Sequence, residues 1–399
     1  MMTDLTKNPC GKFNGKEMDY VIQALDSDNP VNKRLPWTQR LEKKFCEIMD
    51  IKYAVACNSG TSGLHAAVIA AGVRPGDEVI SPGLTVIMDA YAIVHAGATP
   101  VFADVDKETQ NINPQDIERK ITPKTKAIIV VSLQGLSADI DPIMKLASDH
   151  DLIVIEDSAQ TMIGKYKGKI AGTLGHIGVF SFESKKHMTS GSEGGMIVSN
   201  DENFAEKARK FAGIGYKHLT AIAGRTSLAM SEVQDPSYER FDVLGLNYRM
   251  NEVSAAVGLA QLERIEFLVE RRKKIAKMFR EAVGDCEWMV EQHIPKGFEH
   301  SHYTFCMQYF GDEHIDLSWK EFYAKYIEMG GDGFYGACQI PYLEPVFKGL
   351  EINGTIYEKG ICPVAEEIQP RIMQFKTNYR DLDIARGKAQ ILNDLIKSF

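Results

Sequence analysis

The 399-residue sequence lacks several features that would have fixed its class at once. Its seven cysteines, at positions 10, 46, 57, 286, 306, 338 and 362, form no Cys-x-x-Cys pair and have no histidine cluster beside them. An odd, scattered set argues against both a disulfide framework and structural zinc, so no metal site is expected. The compartment expected is a reducing cytoplasm. No apolar run approaches the ~20 residues of a membrane span, and the polar opening, residues 1–19, has no apolar centre of the signal-peptide kind. Positive charge is in deficit, with 46 Lys and Arg against 54 Asp and Glu and a net charge of −8. That balance gives no basic stripe for nucleic acid. No internal repeat or low-complexity tract is found.

What the chain does have is alternation. At 44% hydrophobic and 25% charged residues it is long enough for two domains around an extensive core. Residues 16–50 carry apolar positions at helical spacing. A short strand at 53–57 then runs into Asn58-Ser59-Gly60-Thr61-Ser62-Gly63 and an Ala-rich helix. Such a turn directs the backbone N–H groups and hydroxyls of Gly60, Thr61 and Ser62 to one point, as a phosphate requires. Taken alone it reads equally well as a simple N-cap.

Strands at 77–82, 99–105, 127–131 and 152–157 alternate with helices at 86–96, 114–120 and 140–150. The pattern predicts an α/β fold with a largely parallel sheet covered on both faces. Ligands in such folds lie beyond the C-terminal ends of the strands. Asp157 stands at one of those ends, placed to accept a hydrogen bond from a protonated ring nitrogen, with an N-cap or structural acid as the plainer reading. Two further apolar strands, 178–182 and 195–200, bracket a polar turn holding Lys185, Lys186 and His187. Buried stems hold an amine where its pKa falls and it can attack a carbonyl; a solvated lysine pair is the alternative.

A helix is expected at 202–213, and a polar loop at 216–243 whose length suits a lid or a subunit contact. A long helical pattern follows at 253–283. The remainder, with a strand at 303–310 and helices at 319–329 and 381–398, reads as a smaller α+β domain. The expected division is 16–255 and 256–399.

A phosphate turn, a strand-end acid, Ser181 and a bracketed lysine, in that order, point to pyridoxal 5′-phosphate. That cofactor needs an amine for its aldehyde, a carboxylate for its pyridine nitrogen and donors for its phosphate. The segments Asn58-Ser59-Gly60-Thr61-Ser62-Gly63-Leu64, Gly76-Asp77-Glu78-Val79-Ile80 and Gly97-Ala98-Thr99-Pro100-Val101-Phe102 belong with this reading. So do Glu156-Asp157-Ser158-Ala159-Gln160, Ser181-Phe182-x-x-x-Lys186, Glu193-Gly194-Gly195-Met196 and Asn247-Tyr248-Arg249-Met250. Together the chain resembles the DegT/DnrJ/StrS sugar aminotransferases, a branch of the fold-type-I, aspartate aminotransferase-like enzymes. The resemblance begins near Trp37 and is strongest through residue 262.

The resemblance implies a large domain with a mostly parallel mixed sheet flanked by helices, and a smaller α+β C-terminal domain. It implies that Lys186 joins the cofactor aldehyde and later carries protons, and that Asp157 pairs with the pyridine nitrogen. Gln160 would lie near the phenolic oxygen, and Gly60, Thr61, Ser62 and Ser181 would hold the phosphate. Asn247 would reach the phosphate of a neighbouring subunit, so a homodimer with shared sites is implied. The reaction implied is transfer of an amino group from glutamate or glutamine to a keto-sugar, with the cofactor passing through its pyridoxamine 5′-phosphate form.

Five positions depart from the family pattern. Val86 stands where an aromatic residue usually covers the cofactor ring, and Glu183 where histidine is frequent. Ser132 and Gln134 replace a usual His and Tyr. Ser192 adds a residue before Glu193, so counting back from Gly194-Gly195 reaches His187, whereas counting forward from Ser181-Phe182 reaches Lys186. The residues after Lys186 follow the family's usual run, which favours the forward count. The backward count implies a 3-dehydratase with His187 as base. Other readings are a cyclitol or octulosonate-type acceptor, and a regulator that binds an effector without catalysis. Arg225, Arg240 and Arg249 are candidates to meet an anionic acceptor.

Overall fold

The computed structural model describes residues 11–13, 16–26, 35–224, 231, 234–336 and 338–399. Seven strands build the main sheet: β1 (Tyr53–Cys57), β2 (Glu78–Pro82), β3 (Thr99–Ala103), β4 (Thr125–Val131), β5 (Ile153–Asp157), β6 (Ile177–Ser181) and β7 (Gly195–Ser199). Their order is β1-β7-β6-β5-β4-β2-β3. Strands β2 to β6 run parallel, while β7 is antiparallel to both β6 and β1. The sheet is therefore mixed but mostly parallel, as the run of short apolar segments predicts.

Alternate residues of each strand serve different cores. Ala127 and Ile129 of β4 join one cluster while Ile128 and Val130 join another on the opposite face. The first face is covered by α3 (Gly60–Ala70), α4 (Met88–His95) and α7 (Glu202–Ala212), whose small residues Ala66, Ala67, Ala92 and Ala208 allow close approach. The other is covered by α5 (Pro114–Lys120) and α6 (Ile140–His150) at one end. At the other end lie α2 (Trp37–Met49) and α8 (Glu252–Leu262). Burial on both faces is why the strands read as continuous hydrophobic runs.

The long helix α9 (Ile265–Val283) passes from this body to the next. Ile265 and Val269 pack with the first core, and Ile275, Ala276 and Phe279 with a second. The expected boundary at residues 255–256 thus falls inside α8, whose buried residues Ala255, Ala256 and Leu259 belong to the first core. The second core is built on an antiparallel sheet of β8 (Met289–Glu291), β9 (Thr304–Tyr309) and β10 (Ile372–Lys376). It is covered by α10 (Trp319–Glu328) and α11 (Leu382–Lys397).

Residues 338–371 return to the first body, where Cys338, Tyr342, Phe347 and Cys362 pack on Leu84 and Phe102. A backbone pair between Thr85 and Gln339 ties that segment to the residues just after β2. No helix among the described residues is long and apolar enough to cross a membrane.

Candidate active site

The site lies where β2, β5 and β6 end. Helix α3 begins there in a capping box: the Ser62 N–H donates to Ser59 Oγ (3.1 Å), and the Ser59 N–H donates back to Ser62 Oγ (3.2 Å). The Ser62 hydroxyl also donates to Asn58 Oδ1 at 2.6 Å and is almost wholly buried. These bonds set the turn, and the Thr61 side chain beside it is exposed. A Cβ placed on Gly60 would come within 2.8 Å of Ser181 Cβ, so only glycine lets α3 start against the end of β6. That contact puts the Ser181 hydroxyl beside the helix N-terminus.

Asp157 ends β5 almost wholly buried, and one of its oxygens accepts the Ala159 N–H at 2.8 Å. Burial pushes its carboxyl above the usual range, with Lys186 working in the opposite direction. Gln160, three residues on, is buried and accepts the Gln134 N–H at 2.8 Å. Gln134 itself is buried at positive φ (62°) and bonded through its side chain to Thr304.

Strands β6 and β7 hold the lysine loop between them. The Phe182 N–H donates to Gly194 O (2.8 Å) and the Ser190 N–H to Phe182 O (3.2 Å), closing residues 183–189 before the exposed tip at 191–193. Ser192 lies in that tip, so the extra residue bulges into solvent and leaves the forward count from Ser181 undisturbed. Lys186 Nζ sits 4.5 Å from the centroid of the Tyr303 ring and makes no ion pair with a described residue. Desolvation, the largest influence, lowers its pKa, while Asp157 and Glu183 act to raise it.

His187 goes elsewhere: its Nε2 donates to the Ser301 carbonyl at 3.1 Å, and its ring is buried behind Tyr303. Burial holds it well below the usual imidazole range. Of the two candidates, the structure brings Lys186 to Asp157.

Asn247 is exposed beside the phosphate turn, where the Asn58 N–H donates to Tyr248 O (2.7 Å) and Asn247 Oδ1 accepts from Arg249 Nε (3.1 Å). Arg240 bonds to the carbonyls of Tyr238 and Asp235 within its own loop. Arg225 lies outside the described residues. Val86 is partly exposed at the start of α4.

Three residues near the lysine escaped the sequence reading. Arg272, from α9, donates to the carbonyls of Lys185 (2.7 Å), Lys186 (2.8 Å) and Tyr303 (2.8 Å), fixing the lysine loop from below. Tyr303, which lies under the lysine, donates its hydroxyl to Tyr335 at 2.7 Å. Asp89, on α4, is fully buried next to Asp157. For Arg272 a signal existed, because it falls on the same helical face as Val269, Ile275 and Phe279, a charge in an apolar stripe. Behind the lysine lies a cavity of about 290 Å³ with Lys12, Lys185, Arg271, Arg272 and Arg380 in its wall.

These residues fit pyridoxal phosphate. Asp157 is a buried acid with no ion pair among the described residues, Lys186 is an amine whose pKa burial lowers, and the Gly60–Ser181 contact sets N–H and hydroxyl donors side by side, as a phosphate requires.

The description "DegT/DnrJ/EryC1/StrS aminotransferase family" matches residues 12–378. GDP-perosamine synthase of Escherichia coli O157:H7 is 42% identical over 279 residues, covering 70% of this chain and 71% of that protein. The solved aminotransferase from Psychrobacter cryohalolentis superposes with a TM-score of 0.85 at 30% identity, over 97% of this chain and 98% of that one. A GDP-4-keto-6-deoxymannose-3-dehydratase, ColD, shares the fold at 23% identity and a TM-score of 0.79, over 95% of this chain and 98% of that one. The family match spans both cores and the lysine loop between β6 and β7, and the chain belongs to the DegT/DnrJ/EryC1/StrS aminotransferase family.

Proposed function

We propose that this sugar aminotransferase takes its amino group from glutamate or glutamine and delivers it to the keto carbon of a nucleotide-linked sugar. The product is an amino sugar for a polysaccharide or glycan, made in the cytoplasm. The observation that carries the proposal is the Lys186 amine, desolvated over Tyr303 and set against Asp157. The likeness to GDP-perosamine synthase supports a nucleotide-linked acceptor.

Pyridoxal phosphate, when bound, supplies the aldehyde that meets an amine and a ring that takes up the electron pair of a broken C–H bond. The rest falls to the chain. Asp157 holds a proton on the ring nitrogen by staying anionic. Thr61, Ser181 and the N–H groups at the start of α3 hold the phosphate, with Gly60 permitting the approach. Gln160 stands near the phenolic oxygen.

Lys186 Nζ accepts a proton from the donor's α-carbon and returns one to the acceptor carbon. The Tyr303 face beneath it steadies the ammonium form by a cation–π contact, so both protonation states are within reach. Asn247 and the exposed Phe241, Leu244 and Leu246 beside it support a homodimer with a site completed at the interface.

The competing dehydratase reading needs His187 as base, and the bond from His187 to Ser301 O disfavours it. Incubation with ¹⁵N-glutamate and GDP-4-keto-6-deoxymannose, alongside other nucleotide keto-sugars, separates the two. We expect ¹⁵N in the sugar and one 2-oxoglutarate per sugar aminated. Release of ¹⁵N-ammonium with a deoxygenated keto-sugar would transfer the chain to the dehydratases. Label in a cyclitol or a keto acid sugar, with none in nucleotide sugars, would replace the acceptor and keep the chemistry.

A further inference from the structure

We propose that Asp89 is a positioning residue for Asp157: it retains its carboxyl proton in the folded protein and donates it in a hydrogen bond to the Asp157 carboxylate. The pair then carries a single negative charge. The inference rests on Asp157 as the partner of the ring nitrogen and extends that reading to what aims and tunes Asp157.

Asp89 is in the first turn of α4 with no exposed surface. Its Oδ2 accepts the Thr85 hydroxyl at 2.7 Å, and Thr85 is itself fixed by its two backbone bonds with Gln339 (3.1 and 2.9 Å). Its Oδ1 is buried without a hydrogen-bond donor among the described residues, although the carboxyl lies within hydrogen-bonding reach of Asp157. An anionic Asp89 would leave that oxygen unsatisfied beside a second carboxylate in a dry site. A protonated one turns the same contact into a donor.

The division of charge follows from the surroundings. Asp157 has the Ala159 N–H and faces the Lys186 amine, both of which favour its anion. Asp89 has only a neutral hydroxyl, and burial together with Asp157 pushes its carboxyl well above the usual range. Glu183, Arg272 and Cys338 act on Lys186. On α4 itself, Tyr91 and His95 lie against each other, with His95 near His65. Asp157 would thus be held from two sides, by the Ala159 N–H and by the Asp89 hydroxyl, before any cofactor arrives. Its basicity, and hence its hold on the ring-nitrogen proton, is moderated by the second bond.

The test begins with the cofactor-free protein. Urea unfolding of wild type and Asp89→Asn is compared between about pH 5 and 8. If native Asp89 keeps a proton that the unfolded chain releases, wild type loses stability relative to the variant as pH rises. The ratio of their folding constants should move by up to about tenfold per pH unit until the folded pKa is passed. A ratio that stays constant across the range overturns the proposal.

The second measurement is pyridoxal phosphate affinity by absorbance. Asp89→Asn keeps an N–H donor and should bind within about threefold of wild type, whereas Asp89→Leu, lacking a donor, should bind at least about tenfold more weakly. An Asn variant as weak as the Leu variant overturns the donor role. Asp157→Ala serves as the control: unchanged cofactor affinity there would unseat Asp157 as the ring partner while leaving the pH slope to judge the acid pair.

Discussion

Two pairs of consecutive residues, one on β5 and one in the loop after β6, divide their labour in the same way. On β5, Glu156 and Asp157 are both almost wholly buried. Glu156 accepts three backbone N–H groups, from Gly172 (2.8 Å), Leu174 (2.6 Å) and Gly175 (2.6 Å), and is spent on closing that loop. Asp157 accepts one and retains capacity for a ligand. In the loop after β6, Lys186 turns to the pocket and His187 is bonded into the frame. Adjacent side chains on a strand point to opposite faces, which divides Glu156 from Asp157, and the turn after β6, closed by the bond from the Lys186 N–H to Glu183 O (2.9 Å), divides Lys186 from His187. Substitution should therefore give two distinct phenotypes from neighbouring positions.

The largest effect is expected at Lys186. Lys186→Ala should lower turnover by about 10³-fold or more, as loss of both the attacking amine and the proton carrier requires. Stability should move the other way. A lysine whose folded pKa is lowered binds fewer protons folded than unfolded, so it costs stability as pH falls below its unfolded value. Removing it should leave the cofactor-free protein as stable as wild type at pH 7, or more so, by thermal unfolding. Turnover persisting near the wild-type rate would break the division at its strongest point.

Asp157→Asn comes next, with a loss of about 10²- to 10³-fold in kcat, because an amide cannot carry the charge that holds a ring proton. Its neighbour should behave oppositely. Glu156→Gln replaces an acceptor oxygen with an NH₂ group facing backbone donors, at a cost of about 1–3 kcal/mol in urea unfolding, with kcat retained at temperatures where the protein stays folded. Equal losses of kcat at 156 and 157 would mean that the loop held by Glu156 is itself part of the site.

Much of this division is legible before any coordinates. The short apolar strands, the Gly60-Thr61-Ser62 turn and the acid closing β5 announce themselves through hydrophobic period and turn chemistry, and they stand where that pattern puts them. What sequence spacing could not resolve was a count of one. Ser192 sets the backward count on His187 against the forward count on Lys186, which the residues after the lysine favour, and the Ser190-to-Phe182 bond leaves Ser192 outside the closed loop.

Tertiary partners were harder to read, with a signal only for Arg272. Tyr303, Asp89 and Arg272 reach the lysine or Asp157 from segments far apart in the chain. A hydroxyl at a helix start can bond inward to the cap or outward to a ligand, and spacing alone does not show the inward bonds that Ser62 makes with Ser59 and Asn58. The segments α8 and α9 likewise read as one helical pattern, and which core each face meets is decided by packing.

The smallest effect is expected at His187, and it tests the comparison most finely. His187→Asn removes the bond to the Ser301 carbonyl, a loss of about 0.5–1.5 kcal/mol, and removes no group from the face that meets Asp157. Turnover should stay close to wild type. The pH dependence of stability should change as well. A buried imidazole held below its usual range stays neutral in the folded protein while the unfolded chain takes up a proton below about pH 6.5. Wild type therefore loses stability as pH falls through that value, and the variant should lose it less steeply, by up to one proton. A collapse of turnover to the level of Lys186→Ala, with no change in the pH slope, would reverse the roles within this pair. It would make His187 the base, and the nitrogen from the donor would then be sought as ammonia.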